Sequence, residues 1–122
     1  MPKNGALGEA FAAEYLQKQG YAILETNFRT RFGEIDIIAQ KGDVLAFVEV
    51  KTRAATMLAA PEAAVTFAKQ KKLIMAAMQY LQMHPVDLQP RFDVVAITTA
   101  SKTAFSVLEL AHLTDAFEVV PH

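Results

Sequence analysis

Hydrophobic and polar positions alternate along this 122-residue chain with two different periods, one typical of helices and one typical of strands. The helical period predicts helices over residues 6–19 and 66–83, which end near Gly20 and Pro85. The period of two, with runs rich in β-branched residues, predicts five strands: residues 21–29, 34–40, 44–51, 91–98 and 104–110. One more helical turn is expected around residues 114–117. The order α-β-β-β-α-β-β predicts an α/β domain with a mixed central sheet flanked by helices.

Length and composition limit the number of domains and the classes of protein to consider. A chain of 122 residues with 52% hydrophobic and 20% charged residues predicts one globular domain over residues 1–122. The sequence has no cysteine, which excludes disulfides and thiolate metal sites and fits a reducing compartment. Its N-terminal stretch lacks the apolar segment of a signal peptide, and no run reaches the ~18 apolar residues of a membrane span. We therefore expect a cytoplasmic protein with no membrane partner.

Three charged residues interrupt the two most apolar strands. Asp36 lies in "IDIIA", and Glu49 and Lys51 lie in "VLAFVEVK". Because side chains alternate along a strand, Glu49 and Lys51 share one face. A hairpin turn around Gly42 then pairs Asp36 with Glu49 or one of its neighbours. The pattern predicts that the three charges meet at one end of the sheet.

Two carboxylates and a lysine in such an arrangement have a chemical use. Carboxylates that approach closely repel, which raises the pKa of one of them unless a cation lies between them. Mg²⁺ is the usual cation for a site built from oxygen ligands, and Mn²⁺ is able to substitute for it. A neighbouring lysine can orient a water, which completes the parts for metal-assisted phosphodiester hydrolysis. The alternative from the residues alone is a surface salt bridge between Glu49 and Lys51, with Asp36 exposed nearby.

Several blocks of sequence, in order and with matching spacing, resemble those of the YraN family of small bacterial proteins: "GALGEAFAAEYL", "RFGEIDIIA", "FVEVKTR", "PEAAV", "KQKKL" and "RFDVVAI". That family is similar to archaeal Holliday-junction resolvases and to the wider PD-(D/E)XK nuclease superfamily. The resemblance covers about residues 5–97. It implies a restriction-endonuclease-like core of order α-β-β-β-α-β. It also implies a Mg²⁺-dependent endonuclease acting on structured or branched DNA.

The resemblance also implies roles for individual residues. The metal ligands it implies are Asp36, Glu49, the Val50 carbonyl and, directly or through water, Glu9. Lys51 would position the attacking water, leaving 5′-phosphate and 3′-hydroxyl ends. One departure is Ile35, which stands where the superfamily name has proline, as is common in resolvase-like members.

Other polar residues have two interpretations each. Gln70 is either a helper that reaches the scissile phosphate or Lys51, or a plain glutamine at the start of a helix. Glu34 either supports Asp36 or pairs with Arg31 or Arg53. For Asp93 we expect a structural hydrogen-bonding role, and for the histidines none. Five basic residues are candidate phosphate contacts or ordinary solvated charges: Arg29, Arg31, Arg53, Lys69 and Lys72.

Two functions therefore remain open. The first is a metal-dependent endonuclease, which the intact Asp36, Glu49 and Lys51 favour. The second is a catalytically silent nuclease-fold protein that binds nucleic acid or a protein partner. The formal net charge of −1 favours the second, because dedicated nucleic-acid binders are more often basic. Resolvases of this fold act as homodimers, so a homodimer is a further expectation from the resemblance.

Overall fold

The part of the chain that the structure describes forms two helices and five strands in the predicted order. The computed structural model describes residues 4–55 and 65–117. The elements are α1 (Asn4–Lys18), β1 (Ala22–Thr30), β2 (Gly33–Lys41), β3 (Val44–Ala54), α2 (Phe67–Met83), β4 (Gln89–Thr99) and β5 (Val107–Leu113). The α/β class and the element order are confirmed. The expectation of a helical turn at residues 114–117 is wrong, because that segment forms a turn and irregular backbone.

The five strands form one mixed sheet in the order β1-β2-β3-β4-β5. β1, β2 and β3 pair antiparallel as a meander. β3 and β4 then pair parallel along their whole length, and β5 returns antiparallel to β4. A parallel pair needs a long crossover connection, and α2 lies within it.

The core has two layers, one on each face of the sheet. On one face Ala12 and Leu16 of α1 pack against a cluster that includes Val48. On the other face Leu73 and Tyr80 of α2 pack against a cluster that includes Phe47. A sheet covered on both sides buries both faces of its central strands, which explains why every residue of "VLAFVEV" except Glu49 is apolar. Neither described helix is long and apolar enough to cross a membrane.

α1 approaches the end of β3 closely at Gly8. A side chain at this position would collide with the Thr52 hydroxyl, so only glycine lets the helix backbone come this near to the strand. The next residue, Glu9, is thereby held beside the sheet.

Asp93 is the centre of a buried hydrogen-bonding network, as the sequence indicated. It is 1% exposed and accepts hydrogen bonds from Arg91 Nε and Nη2, both at 2.8 Å. His112 Nε2 on β5 lies 2.9 Å from Asp93 Oδ2, and the Asp115 amide donates at 3.1 Å. Burial raises the pKa of Asp93, but the hydrogen bonds from His112 and Arg91 outweigh it and lower the pKa. The network fastens β5 and the following turn to β4, so the expectation that the histidines have no role is wrong for His112.

Candidate functional site

The candidate site lies where β2 and β3 separate. Their ladder ends at the pair Ile37 and Val48. One step further along the same register, Asp36 and Glu49 lie across from each other. The Val50 amide, which the ladder no longer uses, donates instead to Asp36 Oδ2 at 2.8 Å. A carboxylate thus occupies the gap between the two strands.

The regular alternation of side chains between the two faces of the sheet is interrupted in β2 at this point. Ile37 belongs to the core cluster on the α1 side, as alternation requires, but Ile35 belongs to the cluster on the α2 side. Regular alternation would put Ile35 and Ile37 on the same face. The strand therefore turns about its axis at Asp36, which brings this side chain to the edge where α1, α2 and the sheet meet.

Glu49 is a buried carboxylate with only part of its hydrogen-bonding capacity used. Its side chain is 8% exposed. Oε1 forms an ion pair with Lys69 Nζ on α2 at 3.1 Å. Oε2 is buried and has no hydrogen-bond partner among the described residues. An unsatisfied buried carboxylate oxygen costs on the order of 1–3 kcal/mol, so the fold keeps Glu49 here at the expense of stability.

The Asp36 carboxyl is strongly perturbed. Burial first, and then the charge of Glu49, raise its pKa to about 7, with smaller contributions from Glu9 and Glu34. The hydrogen bond from the Val50 amide acts in the opposite direction. The Asp36 carboxyl therefore holds its proton more tightly than a carboxyl in water, as expected when carboxylates share a low-dielectric site.

Glu9 of α1 reaches the same site with the help of Asn27. In its hydrogen-bonding orientation the Asn27 side-chain nitrogen donates to Glu34 Oε1 at 2.7 Å and to Glu9 Oε1 at 2.8 Å. Burial, followed by the charges of Glu34 and Glu49, raises the pKa of Glu9. Asn27 has a φ of 52°, a left-handed conformation that asparagine tolerates better than most residues. One neutral amide thus holds two carboxylates in place.

These side chains open onto a cleft of about 420 Å³, which we call the carboxylate cleft. It runs from α1 across the start of β2 to α2. Its described lining residues are Glu9, Phe32, Gly33, Glu34, Asp36, Lys69, Lys72 and Leu73. Carboxylates and lysines therefore face each other across an open groove.

Lys51 is half-buried and, like Glu49, is not among the described lining residues of this cleft. Burial first, and then the positive charges of Arg53 and Lys69, lower the pKa of the Lys51 ammonium, while Glu49 acts in the opposite direction. A lysine in this environment holds its proton less tightly than one in water.

The remaining predicted residues are more scattered. Gln70 lies near the start of α2 and donates to the Val65 carbonyl at 2.8 Å, which is a contact within its own helix start. Arg29 pairs with Glu34, with Nε and Oε2 3.4 Å apart, so the expected partners Arg31 and Arg53 were wrong. Arg31 lies outside the carboxylate cleft, over the ring of Phe32. Arg53 is half-buried, and its Nε has no partner among the described residues.

Two features of the site have little or no signal in the sequence pattern. Asn27 was not singled out, although an asparagine inside a strand pattern is uncommon and marks a candidate for positive φ. Lys69 was predicted as a phosphate contact or a solvated charge, and its ion pair with the buried Glu49 was not foreseen. No local signal shows this pair, because the two residues come from different elements, 20 positions apart in the sequence.

The donor set fits a hard divalent cation, although only in part. Asp36, Glu49 and Glu9 offer carboxylate oxygens, and Glu49 Oε2 is a buried oxygen in need of a partner. Such oxygens are the ligands that Mg²⁺ uses together with waters and substrate phosphates. Within residues 4–55 and 65–117, however, no three His, Cys, Asp or Glu side chains are gathered into a ready-made metal cluster. The protein would therefore supply one or two carboxylates.

Comparison with known proteins identifies relatives without an assigned activity. A family model described as "Uncharacterised protein family UPF0102" matches residues 8–97. A "UPF0102 protein" of Chlorobium chlorochromatii is 44% identical over 117 residues, which is 94% of this chain and 91% of that protein. A "UPF0102 protein" of Syntrophus aciditrophicus is 46% identical over 118 residues, covering 96% of this chain and 90% of the relative. The matched range contains Glu9, Asp36, Glu49 and Lys51.

Proposed function

We propose that this chain, which belongs to the uncharacterised protein family UPF0102, is a metal-dependent endonuclease that hydrolyses phosphodiester bonds in structured or branched DNA. The observation that carries the proposal is the pairing of Asp36 and Glu49 at the strand gap. One carboxyl has its pKa raised to about 7, and the other has a buried oxygen with no partner among the described residues. Both perturbations are removed by a cation placed between the two groups.

Mg²⁺ is the cation we propose, with Mn²⁺ as a substitute. Asp36 and Glu49 would hold it, together with the Val50 carbonyl and with Glu9 directly or through water. Once bound, the ion would neutralise charge on the phosphate and act as a Lewis acid. The partial donor set leaves room for waters and phosphate oxygens, which Mg²⁺ usually keeps in its shell.

The chain's own residues would divide the remaining work. Lys51, whose pKa is lowered by burial, would orient the water that attacks phosphorus. The water oxygen would form the new bond to phosphorus as the P–O3′ bond breaks, the water would release its proton to solvent, and the departing O3′ would take a proton from solvent, leaving a 5′-phosphate and a 3′-hydroxyl. Lys72 lines the cleft and would contact a backbone phosphate, as would Lys69 once Glu49 has another partner. Gln70 donates to Val65 at the start of α2 and would act on the phosphate only after leaving this bond.

The test is a cleavage assay on four-way, flap, single-stranded and fully paired DNA, with MgCl₂, MnCl₂ or EDTA. We expect cleavage of at least one substrate by the wild type with metal. Asp36→Asn and Glu49→Gln keep the size of each side chain and should lower the rate by at least about 10²-fold, since each removes a charged metal ligand. Glu109→Gln, an exposed carboxylate on β5, is the matched control and should cleave like the wild type. Equal cleavage by all four proteins would point to a contaminating nuclease and refute the proposal.

A second candidate is a nuclease-fold protein that binds nucleic acid or a protein partner without cutting. The Lys69–Glu49 ion pair favours it, because the protein's own cation already neutralises one of the two carboxylates. The net charge of −1 favours it as well. DNA binding that weakens with salt and is indifferent to Mg²⁺, without cleavage of any substrate, would select this candidate. The homodimer implied by the resemblance is tested by sedimentation in either case.

A further inference from the structure

Phe32 stands between two clefts at the tip of the β1–β2 hairpin. One is the carboxylate cleft. The other has a volume of about 460 Å³, and we call it the outer cleft. Its described lining residues are Arg31, Phe32, Met75, Met78, Gln79 and Gln82. The two clefts therefore meet at one aromatic ring, so a single extended molecule can occupy both.

The hairpin tip that carries Phe32 is held by a set of local hydrogen bonds. The Thr30 hydroxyl accepts from the Phe32 amide at 3.0 Å and from the Gly33 amide at 3.2 Å. The same hydroxyl donates to the Gly33 carbonyl at 3.0 Å. Gly33 packs beside Lys72 of α2, where a Cβ would lie 3.6 Å from the Lys72 Cβ. The backbone that carries the ring is thus positioned before any ligand arrives, which lowers the entropy cost of binding.

The outer cleft has the chemistry of a site for a flat, uncharged ring. The Arg31 guanidinium lies 4.8 Å from the centre of the Phe32 ring. Met75 and Met78 are 43% and 53% exposed and offer polarizable side chains beside it. Gln79 and Gln82 supply amide donors and acceptors. Nucleobases stack on aromatic rings and on guanidinium planes, and amides hydrogen-bond to their edges.

The outer cleft and the carboxylate cleft differ in the charge of their lining residues. Its described lining residues include one arginine and no carboxylate, whereas the carboxylate cleft contains Glu9, Glu34 and Asp36. A polyanion therefore meets one positive charge and no carboxylate among the described lining of the outer cleft, and it needs a cation to offset repulsion only in the carboxylate cleft. This is the charge distribution expected if bases rest on one side of Phe32 and the reacting phosphate lies on the other.

We propose that the outer cleft binds an unpaired DNA base, stacked on Phe32 and Arg31, next to the phosphodiester in the carboxylate cleft. This inference rests on the proposed function and specifies its substrate class. In a duplex both faces of each base are covered by neighbouring pairs, so Phe32 has no free face to stack on. The substrate is then DNA with a single-stranded segment beside the cleavage point, such as a tail, a flap or an open branch.

The test measures DNA binding in EDTA, so that no cutting occurs. One probe is a duplex with a single-stranded tail that carries 2-aminopurine, and the other is a fully paired duplex of the same length. The wild type should bind the tailed probe more tightly and quench 2-aminopurine. Base–aromatic stacking is worth about 1–3 kcal/mol, so Phe32→Leu should weaken binding of the tailed probe about 5- to 150-fold and abolish the quenching. Binding of the paired duplex should change little.

Phe67→Leu is the matched control. Phe67 is 61% exposed on α2 and carries Lys71 Nζ 4.9 Å from its ring centre, so it is also an aromatic residue paired with a cation. It lies outside the described lining of both clefts. Phe67→Leu should bind both probes like the wild type. An equal loss in the two variants would mean that any exposed ring serves, and would overturn the proposal.

Other outcomes would also overturn it. Phe32→Leu binding the tailed probe as tightly as the wild type would remove the stacking site. Tighter binding of an RNA tail than of a DNA tail would reassign the cleft to RNA. A concentration-dependent dimer that Met78→Glu dissociates, with DNA binding unaffected, would assign the surface to a second copy of the chain. Failure of the proposed function is distinct, because it is the absence of metal-dependent cleavage, whereas stacking is measured without metal.

Discussion

Replacing Asp36 by asparagine is expected to stabilise the metal-free protein at pH 8, although the proposed function predicts that the same change lowers the rate of DNA cleavage. The Asp36 pKa is raised from 3.8 to about 7, mainly by burial and by the charge of Glu49. The folded protein therefore keeps a proton on Asp36 that the unfolded chain releases near pH 4. The stability that this proton brings is complete below pH of about 4 and is lost as the pH rises through about 7.

The magnitude follows from the size of the shift. A difference of about 3 pKa units, at 1.36 kcal/mol per unit, corresponds to about 4 kcal/mol. Because Asp36 is half-buried, solvent screens part of this effect, and we expect about 2–4 kcal/mol. Asparagine is uncharged at every pH, and its side-chain oxygen can still accept from the Val50 amide. The variant should therefore lose much less stability between pH 4 and pH 8 than the wild type.

The assay is urea unfolding in EDTA at several pH values from 4.5 to 8.5, with free energies of unfolding from linear extrapolation. Asp43→Asn, an exposed turn carboxylate, is the control and should follow the wild-type pH curve. Adding MgCl₂ at pH 8 should stabilise the wild type more than Asp36→Asn. Parallel pH curves for the wild type and Asp36→Asn would refute the reasoning, as would an Asp36→Asn protein that is less stable at pH 8.

Two further predictions concern the ion pairs. Lys69→Met removes the cation 3.1 Å from Glu49 and should cost about 1–3 kcal/mol in EDTA, because a buried carboxylate loses its partner. Lys69→Met should also bind Mn²⁺ more tightly than the wild type in calorimetry, since the competing cation is gone. Lys72→Met is the control and should bind Mn²⁺ like the wild type. A Lys69→Met protein with wild-type stability and wild-type Mn²⁺ affinity would contradict this reasoning. Asp93→Ala leaves the Arg91 guanidinium without its carboxylate and should lower the free energy of unfolding by about 3–5 kcal/mol, measured by urea denaturation. A loss below about 1 kcal/mol would show that the network adds little stability.

Local pattern was sufficient for the elements and for part of the site. The apolar runs around Asp36, Glu49 and Lys51 made these charges conspicuous, because a charge within a buried strand requires a reason. A hairpin turn around Gly42 predicts that Asp36 lies near Glu49 or one of its neighbours, and in the structure Asp36 lies one step beyond the last β2–β3 pair, Ile37 and Val48. Element bounds were less certain: β5 lies three residues further along than predicted. A strand at the sheet edge with one half-exposed face gives a weaker pattern than a buried one.

Local periodicity does not predict contacts between elements that are far apart in the sequence. His112 was assigned no role, yet it joins Asp93 across the β4–β5 pair. Gln70 was a candidate helper at the phosphate, but its amide is bound to the Val65 carbonyl. Each outcome depends on where a side chain points after two elements have packed, and that direction is set by tertiary contacts.

The order of helices and strands, the core on both faces of the sheet and the presence of charges that burial does not favour all follow from the amino-acid pattern. These properties follow from local periodicity and from the cost of burying charge, which act on any chain with this pattern. Three features arise from the packing of the elements: β2 leaves β3 at Asp36, Lys69 forms an ion pair with Glu49, and Phe32 lies between two clefts. These features depend on the packing of α1 and α2 against opposite faces of the sheet, which residues far apart in the sequence specify together.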